Sequence, residues 1–188
     1  MIKRVGGSTV RFVTPPAVKA WGNVAGKKEG HGPLGTLFDM VYEDTTLGEK
    51  TWEKAESRLQ NEAVRICLDK SQVNVADVQY IFGGDLLNQC ISSHYGLLPY
   101  QIPFYGVYGA CSTMVETAAL AAMCIDGEFA DTCMAVTSSH FCSSERQFRT
   151  PLEYGGQRPP TSQWTVTGGA CIMLDRFGEG PYITHHTA

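Results

Sequence analysis

Apolar residues recur every three or four positions between Trp52 and Cys67, at Trp52, Ala55, Leu59, Ala63, Ile66 and Cys67. That spacing is the buried stripe of one helix. Thr51 stands before it as N-cap and Glu53 falls in its first turn. Elsewhere the apolar positions come in short continuous runs. Residues 10–13, 17–24, 77–84, 103–108, 132–137 and 165–174 read as strands, with Pro15-Pro16 separating the first two. Those at 77–84, 103–108 and 132–137 read as buried. Residues 88–98 and 114–125 read as helices, the second almost wholly apolar and small and closed by Asp126-Gly127. Strands alternating with helices predict a layered α/β domain whose sheet is mostly parallel. Two stretches remain as loops. Residues 27–50 carry Gly30, Gly32, Pro33 and Gly35 around an apolar centre, Leu34 to Phe38, expected to pack against something. Residues 145–161 are polar and read as an ordered loop.

Composition narrows the class. The chain has 188 residues, 43% hydrophobic and 18% charged, which suits a folded domain with a sizeable core. A formal charge of -4 and no basic stripe leave no electrostatic case for nucleic acid. Of seven cysteines, Cys67, Cys124, Cys133 and Cys171 fall inside predicted elements as small hydrophobes. Their odd total, the lack of a CxxC pair and the lack of a secretory signal fit a reducing compartment. No zinc-type spacing occurs, so neither metal nor cofactor is expected. His185-His186 reads as an exposed segment in preference to a ligand pair. The longest apolar run, residues 118–125, is far short of the roughly twenty residues that span a bilayer. A cytoplasmic, soluble protein is expected.

The candidate chemistry centres on Gly109-Ala110-Cys111-Ser112-Thr113, where a strand turns into the apolar helix. A thiol in the first turn of a helix meets unsatisfied N–H groups and the positive end of the macrodipole. Such a place suits a reactive thiol or an anion site. Asp85, Cys111 and His140 all fall at carboxyl ends of predicted strands, where ligands gather in α/β sheets. Cys111 and His140 read as a nucleophile and its base. The alternative is a small residue at a crowded helix start and a histidine that caps a strand. Asp85 and Asn88 read as a helix cap before they read as ligand contacts. Gly168-Gly169 marks a close approach by a backbone or a ligand. Glu116, alone on an apolar helix, requires a buried partner or an edge position. Arg146, Arg149 and Arg158 cluster in one segment. They suit a small anion, or structural bridges to Glu145, Glu153 or Asp131.

The strand, the Gly-Ala-Cys-Ser turn, the buried helix and the late Val166-Thr167-Gly168-Gly169-Ala170-Cys171-Ile172-Met173-Leu174 run resemble the first half of the thiolase and ketoacyl-synthase III superfamily. Further motifs resemble one family within it, stage V sporulation protein AD (SpoVAD). They are Gly32-Pro33-Leu34-Gly35-Thr36-Leu37-Phe38-Asp39, Gly84-Asp85-Leu86-Leu87-Asn88-Gln89, Thr137-Ser138-Ser139-His140, Glu145-Arg146-Gln147-Phe148-Arg149 and Glu153-Tyr154-Gly155-Gly156-Gln157. The resemblance implies residues 1–188 as one thiolase-like half, layered α-β-α on a mostly parallel five-stranded sheet, with the second half outside these residues. It implies binding of dipicolinic acid (pyridine-2,6-dicarboxylate) and a part in its uptake into the developing spore. It also implies work with membrane proteins of the same sporulation operon, peripheral association with the spore inner membrane, and a homodimer in which residues 84–89 lie near the contact. Candidate ligand contacts are Cys111, His140, Arg146, Arg149 and Tyr154. The alternative is an acyltransferase with Cys111 as the acylated nucleophile, whose partner residues would come from the second half. A lone first half would expose a large apolar face.

Overall fold

The computed structural model describes residues 3–148, 161 and 163–187. Six strands build the main sheet: β3 (Ala17–Gly26), β4 (Met40–Tyr42), β5 (Tyr80–Gly84), β6 (Phe104–Gly106), β7 (Thr132–Ser139) and β8 (Gly168–Asp175). Their order is β4-β3-β8-β7-β5-β6. A separate three-stranded sheet joins β1 (Arg4–Val5), β2 (Thr9–Arg11) and β9 (His185–Thr187). The helices are the one-turn α1 (Lys27–Gly30), then α2 (Trp52–Ser71), α3 (Ile91–Leu97), α4 (Thr113–Asp126) and α5 (Phe141–Phe148).

The main sheet is mixed, with one strand more than the five expected. β5 runs parallel to β6 and β7, and β3 parallel to β4, but β8 is antiparallel to both β3 and β7. The reason lies in the connection. The chain leaves β7 at Ser139 and re-enters β8 at Gly168, and these two residues pair. A strand that starts where its neighbour ends must run back along it. The extra strand, β4, comes from the stretch read as a loop, because Met40-Val41-Tyr42 alternates well enough to pair with the end of β3.

α2 forms as the spacing requires. Thr51 accepts a hydrogen bond from the Lys54 N–H at 3.3 Å, and Ala55, Leu59, Ala63 and Cys67 are fully buried. This face meets Ala20, Val24, Ile81, Met134, Cys171 and Met173 from the sheet. On the opposite sheet face α4 packs Ala121, Ala122 and Ile125 against Phe82, Cys133 and Leu174. Neighbouring residues of β5, β7 and β8 thus point into different cores, which is why these strands read as unbroken apolar runs. Gly169 is needed for this packing. A Cβ there would lie 2.8 Å from the Leu59 carbonyl oxygen, so β8 meets the α2 backbone directly.

The three-stranded sheet is tied to the end of α4 by Asp126. Its carboxylate accepts from the Val13 and Thr14 N–H groups at 2.8 and 2.7 Å and pairs with Lys3 at 2.7 Å. His185 is exposed and His186 half-buried in β9.

Three expectations about burial fail, the first at Trp52, which opens the stripe of α2 yet is 38% exposed. Among the described residues β6 is an edge strand paired only with β5, and Tyr105, with Tyr108 beyond it, stands about half exposed. In residues 34–38, Leu34 and Leu37 are exposed and only Phe38 among the three large apolar residues is half-buried. α4 is also apolar on the side away from the sheet, where Val115, Leu120 and Met123 reach solvent. Among the described residues no helix is long and apolar enough to cross a membrane.

Candidate functional site

The carboxyl ends of β5 and β7, the start of β8 and the turn before α4 enclose a cavity of about 710 Å3. Cys111 lies on it and is exposed. It sits in a single 3-10 turn, Ala110–Ser112, that leads into α4, not in the α-helix itself. Ala110 takes the left-handed conformation with φ of 51°. A side chain tolerates that region poorly, so this turn is strained at the residue before the thiol. Two side-chain bonds hold the turn from below. Thr113 Oγ1 accepts from the Gly109 N–H at 3.1 Å, and the Ser112 hydroxyl bonds the Gly109 carbonyl at 2.7 Å and lies against the Glu116 carboxylate. Glu116 therefore finds its partner within its own helix start.

Phe38, Met114, Phe148, Trp164 and Val166 give the cavity apolar walls, and Thr137, Ser138, Ser139 and Ser144 give it hydroxyls. Lys28 Nζ lies 3.2 Å from the centre of the Trp164 ring, and the Phe141 ring packs against the same indole at 4.6 Å between centres. The charged residues among the described lining are Asp85 and Glu145, both acidic. Asp85 is buried and accepts from the Leu87 and Ser93 N–H groups at 2.8 and 2.7 Å and from the Ser93 hydroxyl at 2.6 Å. It caps the turn and the first turn of α3, as expected, while one edge meets the cavity.

His140 does not line this cavity. It is 1% exposed, its Nε2 lies 2.7 Å from the Thr45 carbonyl oxygen, and its Nδ1 accepts from the Cys142 N–H at 3.2 Å. The acceptor role of Nδ1 assigns the proton to Nε2, which donates to Thr45. Burial lowers the imidazole's pKa below its ordinary value against weaker upward pulls from the Thr45 carbonyl and Glu29. Both ring nitrogens are thus held by backbone, and the strand-capping reading describes this histidine better than the pairing with Cys111. Arg146 also lies elsewhere. It pairs with Glu53 of α2, stacks its guanidinium 5.5 Å from the Trp52 ring centre, and flanks a separate depression with Asn88 and Ile91. The structural-bridge reading holds for it, although through Glu53; Asp131 pairs with Arg176 at 3.6 Å. Arg149, Tyr154 and Arg158 lie outside the described residues.

Sequence reasoning missed a buried polar network behind the cavity wall. Glu56 and Gln60 of α2 are both fully buried. Gln60 Nε2 donates toward the Gly84 carbonyl, Ser93 Oγ and Ser138 Oγ at 3.1, 2.8 and 3.0 Å. Glu56 receives the Ser138 hydroxyl at 3.2 Å and lies 2.6 Å from Ser143 Oγ. Burial is the main cause that raises its pKa to about 8, with the Asp85 charge adding to it and the two hydroxyls opposing. The spacing held a signal: residues 56, 60, 63 and 67 share the buried face, so two polar side chains point into the core.

Comparison with known proteins places this geometry. The chain matches the family model described as "Stage V sporulation protein AD (SpoVAD)" over residues 6–188. It is 43% identical over 186 residues to stage V sporulation protein AD of Bacillus subtilis (strain 168), covering 99% of this chain and 55% of that protein. The chain therefore spans about half the length of this relative. Among solved structures, 3-oxoacyl-[acyl-carrier-protein] synthase III from Aquifex aeolicus VF5 superposes with a TM-score of 0.60 at 12% identity. That match covers 87% of this chain and 55% of the synthase. An OleA variant from Xanthomonas campestris with cerulenin gives 0.59 at 9% identity, over 88% and 58% of the two chains. These two likenesses show the thiolase-like fold alone. With a family match over nearly its whole length and a relative 43% identical, this chain belongs to the stage V sporulation protein AD (SpoVAD) family.

Proposed function

We propose that the cavity beside Cys111 binds dipicolinic acid and that the protein takes part in moving this dianion into the developing spore. Family membership supports the setting, and the cavity supports a binding role. Its flat aromatic walls, Phe38, Phe148 and Trp164, suit a planar ring, and its hydroxyls suit carboxylate oxygens. The observation that carries the binding reading is this lining of aromatic rings and hydroxyls; His140 bears only on a base for Cys111 from within these residues. With both imidazole nitrogens occupied by backbone, no base from that residue serves Cys111. A dianion also needs cations, and the described lining supplies none. The reading assigns that part to Arg149, which follows the cavity residue Phe148 in sequence, and counts Tyr154 as a further ligand contact.

Calorimetry with dipicolinate on the full-length protein tests this. Saturable binding is expected, with Arg149→Ala weakening it about tenfold or more through the lost charge-assisted bonds. Cys111→Ala should change affinity by no more than a few-fold. The acyltransferase reading draws on the exposed thiol in its strained turn. It predicts instead a thioester adduct on Cys111 after incubation with an acyl-CoA, seen by intact mass and lost in Cys111→Ala. Adduct formation without dipicolinate binding would reject our proposal.

The same reading includes a homodimer and docking on membrane proteins of the sporulation operon at the spore inner membrane. The edge of β6 that is unpaired among the described residues, with the exposed Tyr105 on it and Tyr108 beyond, offers a surface for the first.

A further inference from the structure

Ser143 of α5 has one hydroxyl proton and two acceptors in reach, Glu56 Oε2 at 2.6 Å and the His140 carbonyl at 3.0 Å. With Glu56 ionised, the proton can serve only one of them. With Glu56 protonated on Oε2, the acid donates to Ser143 and Ser143 donates to His140, so both contacts are made at once. The network is short of protons elsewhere too: Gln60 Oε1 is buried without a donor among the described residues. Asp85 shares this network through Ser93 and Gln60 and accepts three hydrogen bonds, two from backbone, which is the pattern of an ionised carboxylate. A second charge in the same dry space has no such support.

We propose that Glu56 is held as a neutral carboxylic acid that locks α2 to α5 through Ser143, and that losing its proton releases α5 and loosens the cavity wall. The groups around Glu56 are these. From the end of β5 comes Asp85, a like charge; from β7, the Ser138 hydroxyl; from α3, the Ser93 hydroxyl, one step removed through Gln60. From α5 comes Ser143, which also reaches the carbonyl of His140 just ahead of the helix, while Arg146 is engaged by Glu53. No cation among the described residues acts on the Glu56 carboxyl. An ionised Glu56 therefore gains most by drawing in water, and the element it can displace is α5, which is short and carries Ser144, Glu145 and Phe148 of the cavity wall.

The test is a pH titration of the full-length protein, following the glutamate carboxyl by carbon-13 NMR and the α5 amides by hydrogen exchange. One glutamate carboxyl is expected to titrate near pH 8 and to vanish in Glu56→Gln. Exchange of residues 141–148, corrected for its intrinsic pH dependence, should accelerate at least tenfold across the same midpoint in the native protein and not in the variant. His140 changes charge at lower pH, so its titration is separable. A Glu56 carboxyl that titrates in the ordinary acidic range overturns the neutral acid, and α5 protection unchanged across its titration overturns the release. Both readouts come from the native protein, so a misfolded variant leaves the test intact, and neither depends on which ligand the cavity takes.

Discussion

Single residues decide this molecule where side chains and backbone compete for space. Ala110 holds a left-handed conformation that glycine adopts freely, so Ala110→Gly is expected to raise stability by roughly 0.5–1 kcal/mol. Denaturant melts of the two proteins would show it as a higher midpoint at unchanged slope. Gly169 is the converse case. A methyl group 2.8 Å from the Leu59 carbonyl must push α2 off the sheet, and Gly169→Ala should cost about 1–3 kcal/mol or more. A thermal midpoint equal to that of the native protein would refute the close approach. Gly169 was legible in the sequence, because a glycine pair weakens the strand it opens unless a close neighbour requires the missing side chain. His140 was not. Its partner, the Thr45 carbonyl, lies 95 residues away in the chain, and no local pattern announces a bond to backbone at that distance. Glu56 and Gln60 were half legible, since their position on the buried face of α2 follows from helical spacing while their partners on β7 and α5 do not.

At the level of elements, α2 was readable from both its cap and its stripe because each is a local property of the chain. Thr51→Ala should cost about 1 kcal/mol, and Leu59→Ala, which empties a fully buried site between α2 and the sheet, about 2–5 kcal/mol. Chemical denaturation separates the two, and a Leu59→Ala loss below that of Thr51→Ala would contradict the packing described. Strand β8 shows what pattern alone cannot carry. Its sequence says buried strand, yet its antiparallel direction comes from the pairing of Gly168 with Ser139, which depends on where α5 returns the chain. β6 fails for a related reason. Apolar content predicts a strand, but whether that strand lies inside a sheet or at its edge depends on neighbours absent from its own sequence.

The whole molecule has two cores on one sheet, and they are finished to different degrees. The α2 side is closed by α2 and α3, whereas α4 turns Val115, Leu120 and Met123 outward. A helix apolar on every side belongs between two layers. The chain spans about half the length of its relative, and among the described residues no layer covers this face of α4. Residues 1–188 alone are expected to self-associate, and Val115→Lys with Leu120→Gln should reduce that, measured by light scattering at matched concentration. A monodisperse native chain would argue against an unfilled face.

The exposure of Cys111 has a practical consequence. Of the seven thiols, four are buried, Cys124 and Cys142 are partly covered, and Cys111 is the exposed one. Burial also raises the pKa of Cys90, Cys124, Cys133, Cys142 and Cys171 above that of an ordinary thiol, which slows their attack on an alkylating reagent. A maleimide should therefore tag one position first, on the rim of the cavity. The protein carries its own footprinting handle: any occupant of the cavity, whatever its chemistry, is detectable as a slowing of that single alkylation.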